Sequence, residues 1–133
     1  MSDAFEISTV LPAAAPHIYE AWLSNDEHAA MTGGGAEIDP AVGGRFSAWD
    51  GYITGTTIEL EPYRRIVQAW RTVEFPPDAP DSRLEIILTE VTGGTQLTLR
   101  HSNIPAGQGA SYDSGWIDNY FNPMKEYFAS RTD

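Results

Sequence analysis

Apolar positions along this chain change their spacing twice, and each change marks a change of backbone type. Phe5, Ile7 and Thr9 alternate with polar neighbours, so residues 5–11 are predicted to form a first strand, closed by Pro12. Ile18, Trp22 and Leu23 then recur at helical spacing, and Pro16 suits the first turn of that helix because it has no amide hydrogen to lose there. Ser24, followed three residues on by Glu27, has the spacing of a capping box. It starts a second short helix that ends at Gly33-Gly34-Gly35. Alternation then returns and predicts strands over 36–39, 45–49, 52–61, 66–73, 83–91 and 95–102. Turn residues separate them, among them Asp50-Gly51, read as a two-residue hairpin turn because glycine accepts positive φ without penalty.

The same alternation sorts the faces. Ile66, Gln68 and Trp70 share one side of a strand, as do Leu84, Ile86 and Leu88, and as do Leu97, Leu99 and His101. Short loops make these strands antiparallel, and a sheet of six to seven of them curls and needs a cover on its concave side. Residues 113–130 supply it. Trp116, Tyr120, Met124, Tyr127 and Phe128 recur every three or four residues, Ile117 and Phe121 widen the stripe, and Pro123 is expected to bend the helix around the sheet. The predicted class is α+β: one domain over 1–133, a curved antiparallel sheet around a long C-terminal helix, with two short helices after the first strand.

One helix does not fill a strongly bent sheet, so a cavity is expected between them. Trp49, Gln68, Trp70, Tyr112, Trp116, Tyr120 and Met124 are the residues expected to line it, with the loops 76–82 and 104–112 as its gates. Aromatic rings offer large apolar contact with polar tips, whereas Gln68 on the Trp70 face needs a partner or a ligand to orient.

Charge narrows the partners. Eight basic against 19 acidic residues give a net charge of −11, which works against nucleic acid and anionic membranes. Without cysteine there is no disulfide, thiolate metal site or catalytic thiol. The N-terminus lacks the pattern of an export signal, and no apolar run approaches the ~20 residues that span a bilayer. The expectation is a cytoplasmic monomer with no cofactor and no metal.

Catalytic chemistry finds little support. His101 could serve as a general acid or base, but a satisfied structural histidine is the stronger reading, and His17 and His28 read as surface residues. Arg71 faces away from Trp70 and reads as a surface ion-pair partner. Glu59 with Glu61, and Glu74 with Asp78 and Asp81, read as solvated charge. No lysine follows Gly33-Gly34-Gly35 as a phosphate loop requires, and no serine has the glycine context of a nucleophile elbow.

An ordered set of blocks carries a family resemblance. Trp22, Gly44-Arg45-Phe46, Asp50-Gly51, Gly55, Glu59, Pro62, Ile66-Val67, Trp70-Arg71 and Pro76 are followed by Ser82, Gly94-Thr95, Ile104-Pro105, Gly115-Trp116 and Phe128. In this order and spacing the chain resembles the C-terminal-like domain of the activator of heat shock protein 90 ATPase, within the START/polyketide-cyclase (SRPBCC) helix-grip superfamily, whose fold is Bet v 1-like. The resemblance implies a β-α-α-β-β-β-β-β-β-α order, a helix gripped by the sheet, and a cavity in many relatives. In eukaryotes such a domain is the second half of a co-chaperone that stimulates the chaperone's ATPase and looks to dock mainly through an N-terminal domain, for which the chain is expected to have no counterpart.

Three functions follow as expectations. The first is a binding module for a small apolar or amphipathic ligand. The second is a stress-response protein with a chaperone as partner. The third is an enzyme of the polyketide-cyclase kind, which would need a titratable group inside the cavity.

Overall fold

The computed structural model describes residues 2–130. Its strands are β1 (Ser2–Leu11), β2 (Glu37–Ile38), β3 (Arg45–Ala48), β4 (Ile53–Glu61), β5 (Arg65–Thr72), β6 (Ser82–Val91) and β7 (Gly94–Pro105). They form one antiparallel sheet in the order β1-β7-β6-β5-β4-β3-β2. β1 and β2 therefore lie at opposite edges, and the chain must cross the sheet between them. Two helices make that crossing, α1 (Ala15–Trp22) and α2 (Asn25–Thr32). They bury Ile18, Trp22 and Met31 in the core. The C-terminal helical segment lies against the same concave face, which is the helix-grip arrangement.

Faces follow the alternation. Ile66, Leu84, Ile86, Leu97 and Leu99 are at most 1% exposed, and they share one core cluster with Met124 and Phe128, both fully buried. Each such side chain removed from water contributes about 1.5–3 kcal/mol, so this interface holds the fold together. Gly55 marks the tightest packing: a Cβ there would overlap the Ala69 carbonyl oxygen and lie 2.6 Å from the Phe46 ring.

The C-terminal segment differs from its expected form. It begins at Gly109 rather than 113, as α3 (Gly109–Trp116), continues as a π-helical turn over Ile117–Phe121, and ends as α4 (Asn122–Ala129). Pro123 sits in the first turn of α4, where its missing amide costs nothing. The wider π turn before it takes up the mismatch that a proline ring makes with the carbonyl four residues back. The π turn also rotates Ile117 out to solvent (39% exposed) while Phe121 stays buried.

Three smaller corrections have local causes. Asp50-Gly51 does not form a two-residue turn: Ala48 pairs with Ile53 across the four residues 49–52, and Trp49, Asp50 and Gly51 all take positive φ (53°, 57° and 93°). Ser24 caps α2 by accepting from the Glu27 amide at 3.2 Å, but the Glu27 carboxylate does not complete the box. It reaches instead to His17 at 3.1 Å and the Tyr127 hydroxyl at 2.7 Å, tying α2 to α1 and α4. Glu59 and Glu61 are not simply solvated, because both join Glu85 around the Arg65 guanidinium.

Candidate functional site

A cavity of about 610 Å³ lies between α3, the sheet and the β3–β4 turn. Trp70 reaches it from β5, Trp49 from the turn, Tyr112 and Trp116 from α3, and Tyr120 from the π turn. Five of the seven residues expected to line a cavity are thus brought together. Gln68 and Met124 are not on this wall: Gln68 borders only a small void behind it, and Met124 is fully buried under the helix.

The rings form a continuous pavement. Trp70 and Trp116 lie 5.6 Å apart between centroids, Trp116 and Tyr120 4.7 Å, and Trp70 meets Tyr112 edge-on at 5.1 Å. Trp49 closes the other side against Tyr120 at 6.4 Å. Its positive φ aims the ring inward, and Gly34 makes the seat: a Cβ on Gly34 would stand 2.6 Å from the indole. Asp50 locks the turn by exchanging hydrogen bonds with Gly35, donating its amide at 3.0 Å and accepting at 3.1 Å. The triple glycine is therefore a packing surface for a cavity residue.

Behind the pavement, the buried side-chain polar atoms of the described residues all have hydrogen-bond partners. The Trp116 indole N–H donates to His101 Nδ1 at 3.1 Å, so the His101 proton is on Nε2, donated to Ser82 Oγ at 2.7 Å. Ser82 passes its own hydrogen to the Trp70 carbonyl at 2.8 Å. This chain accepts only a neutral imidazole, and burial pushes the His101 pKa down to about 3. His101 fixes Trp116 to β7 and, through Ser82, to the backbone of β5, and it does not border the cavity.

His28 is not a surface residue. It is 4% exposed, and burial, partly opposed by its bond to the Trp22 carbonyl, lowers its pKa. Its Nδ1–H donates to that carbonyl, so Nε2 accepts from the Tyr120 hydroxyl, each at 2.9 Å. Gln68 is held likewise: its Oε1 accepts from the Trp22 indole at 3.4 Å and its amide donates to Thr57 at 3.3 Å.

The rim is built from residues that alternation alone did not single out. The Glu74 amide donates to Thr72 Oγ1 at 3.1 Å, and Thr72 donates to the Tyr112 hydroxyl at 2.6 Å. Tyr112 donates to Gln108 Oε1 at 2.9 Å, and the Gln108 amide returns to the Glu74 carbonyl at 3.1 Å. This closed ring ties the segment after β5 to the start of α3. Tyr52 adds its hydroxyl to the Glu74 carboxylate; burial first, and that bond second, raise its pKa to about 12, so it remains a donor. Glu74 therefore borders the cavity, whereas Asp81 pairs with Arg71 at 2.8 Å. Arg71 lies on the far side of its strand, as expected, and also binds the carbonyls of Pro76 and Ala79, pinning the 76–81 loop. Residues 109–112 of the expected second gate are helix.

A signal for the missed residues is present in the sequence. Ser111, Tyr112, Gly115, Trp116, Asn119 and Tyr120 repeat at three and four residues, a mixed small, polar and aromatic face beside the apolar stripe. Gly115 is its gap: a Cβ there meets nothing nearer than Asn119 at 3.8 Å. Among the described residues no group of His, Asp or Glu is placed to hold a metal ion, and no helix is long and apolar enough to cross a membrane.

Sheet, gripped helix and aromatic cavity together define a helix-grip protein of the SRPBCC class. Within it, the chain belongs to the family described as Activator of Hsp90 ATPase homolog 1-like protein, matched over residues 12–129. It is 26% identical over 111 residues to the human Activator of 90 kDa heat shock protein ATPase homolog 1, covering 84% of this chain but 32% of the human protein. The chain thus spans about a third of the length of that relative. The crystal structure of an HSP90 activator from Plasmodium falciparum superimposes with a TM-score of 0.87 at 25% identity, covering 95% of this chain and 96% of that one. The solution structure of the Aha1 dimer from Colwellia psychrerythraea, at 15% identity and a TM-score of 0.80 over 95% and 96% of the two chains, shares the fold.

Proposed function

We propose that this protein is a binding module that takes an apolar or amphipathic small molecule between the sheet and the C-terminal helix. The observation that carries the reading is the cavity of about 610 Å³ paved by Trp49, Trp70, Trp116 and Tyr120, a size and lining typical of small-molecule sites. Catalysis is the weaker reading because the histidine that could move protons, His101, serves Trp116 and Ser82 instead.

Gly115 provides the test. Gly115→Leu places a side chain into the open space without a backbone clash, and leucine suits a helix better than glycine by about 1 kcal/mol. The neutral fluorophore N-phenyl-1-naphthylamine should bind the parent protein and Glu90→Ala equally, and bind Gly115→Leu at least tenfold more weakly, with no loss of Tm. Binding to neither, or equal binding to all three, would defeat the proposal. Native mass spectrometry of freshly purified protein then identifies what the cavity carries.

Family membership favours a second reading, a chaperone as partner, because the human relative is named for activating a heat shock protein ATPase. A pull-down from the protein's own cell extract, repeated at low salt, should enrich a chaperone of that class; enrichment of none removes this reading.

A further inference from the structure

The charge and hydrogen-bond state of the cavity narrows the ligand class. Its described lining holds three tryptophans and three tyrosines but no Lys, Arg or His, and its one ionisable group of carboxylate type is Glu74. The hydrogen-bond donors nearest Glu74 are already engaged: Tyr112 and Thr72 are committed within the rim ring, the Gln108 amide bonds the Glu74 carbonyl, and Tyr52 bonds the carboxylate. Arg71, the nearest cation in sequence, is held by Asp81 and lies over the Phe75 ring, 5.5 Å from its centroid. Ser111 and Asn119 add only neutral groups. What the rim offers a ligand is therefore an acceptor with negative charge, the exposed Glu74 carboxylate, which accepts from Tyr52 on a backbone that the ring of hydrogen bonds holds.

We propose that the cavity selects cationic aromatic ligands, with the accessible rings of Trp49, Tyr52 and Tyr112 taking the ligand's ring and Glu74 facing the positive nitrogen. This rests on the binding-module reading and adds the charge of the ligand to it. A cation gains from aromatic faces within about 6 Å as well as from the carboxylate. An anion of the same shape would lose its hydration beside a carboxylate with no positive group to replace it. The net charge of −11 enriches cations and depletes anions around the molecule in the same sense.

Three isosteric probes separate the possibilities: (2-naphthylmethyl)trimethylammonium, 2-naphthylmethanol and 2-naphthylacetate, titrated calorimetrically into the full chain. The cation should bind about tenfold or more tighter than the alcohol, and the anion weakest. Glu74→Gln should erase the cation's advantage while changing the affinity for the alcohol less than twofold; circular dichroism confirms that the variant is folded. Equal binding of all three probes, a preference for the anion, or a cation preference that survives Glu74→Gln overturns the inference while leaving the cavity reading in place. Binding of none of them, together with failure of the neutral fluorophore, overturns both.

Discussion

His101 and His28 are each locked into one tautomer by two hydrogen bonds, and that lock has a pH signature. An ordinary imidazole takes up a proton near pH 6.5; burial lowers both, His101 to about 3. A base whose folded pKa is depressed binds fewer protons folded than unfolded below pH 6.5. Its stabilising contribution is therefore complete above that value and lost as pH falls from 6.5 towards about 3. Each histidine adds a slope of at most about 1.4 kcal/mol per pH unit. Urea titrations at pH 7.5, 6, 5 and 4 should show the parent losing stability faster than His101→Gln, so that the gap between them narrows with acid. A gap independent of pH would mean that His101 is not held neutral. His101 shares the parity of Leu97 and Leu99, so its burial was legible in the sequence. His28 was not, because its partners are the Trp22 carbonyl and the hydroxyl of Tyr120, ninety-two residues away.

At the scale of elements, periodicity located the strands and helices because one face of each is buried and the other is wet. It failed where backbone and not burial decides the outcome. A π turn has no sequence period of its own, and Pro123 announced only a bend. The turn at 49–52 looks like a two-residue hairpin until the seating of Trp49 on Gly34 is known. The capping box was half legible: Ser24 caps α2, while Glu27 serves tertiary contacts. Ser24→Ala should therefore cost about 1 kcal/mol, the usual value of an N-cap, read as a lower urea midpoint at unchanged m-value. A loss near zero would show that the cap is dispensable because packing alone holds the helix.

The whole molecule has a rigid and a loose side, and the site lies between them. β7 is paired along its length with both β1 and β6, whereas β2 contributes two paired residues at the opposite edge. Opening free energies should follow: amides of β6 and β7 exchange slowest, those of β2 and β3 fastest. The cavity rim is intermediate, since its closure depends on the Glu74–Thr72–Tyr112–Gln108 ring and on Arg71 holding the 76–81 loop. A ligand that binds only the closed rim stabilises it by mass action, slowing exchange up to about 100-fold at a hundred times its Kd. Hydrogen exchange with N-phenyl-1-naphthylamine should accordingly show added protection at 73–81 and 105–112, with the β2 amides unchanged because fraying of that edge leaves the cavity intact. Gln108→Ala opens the ring and should raise rim exchange in the free protein without slowing or hastening β2. Equal protection of rim and edge would indicate binding outside the cavity, and no change at the rim would show that its hydrogen-bonded ring does not gate access.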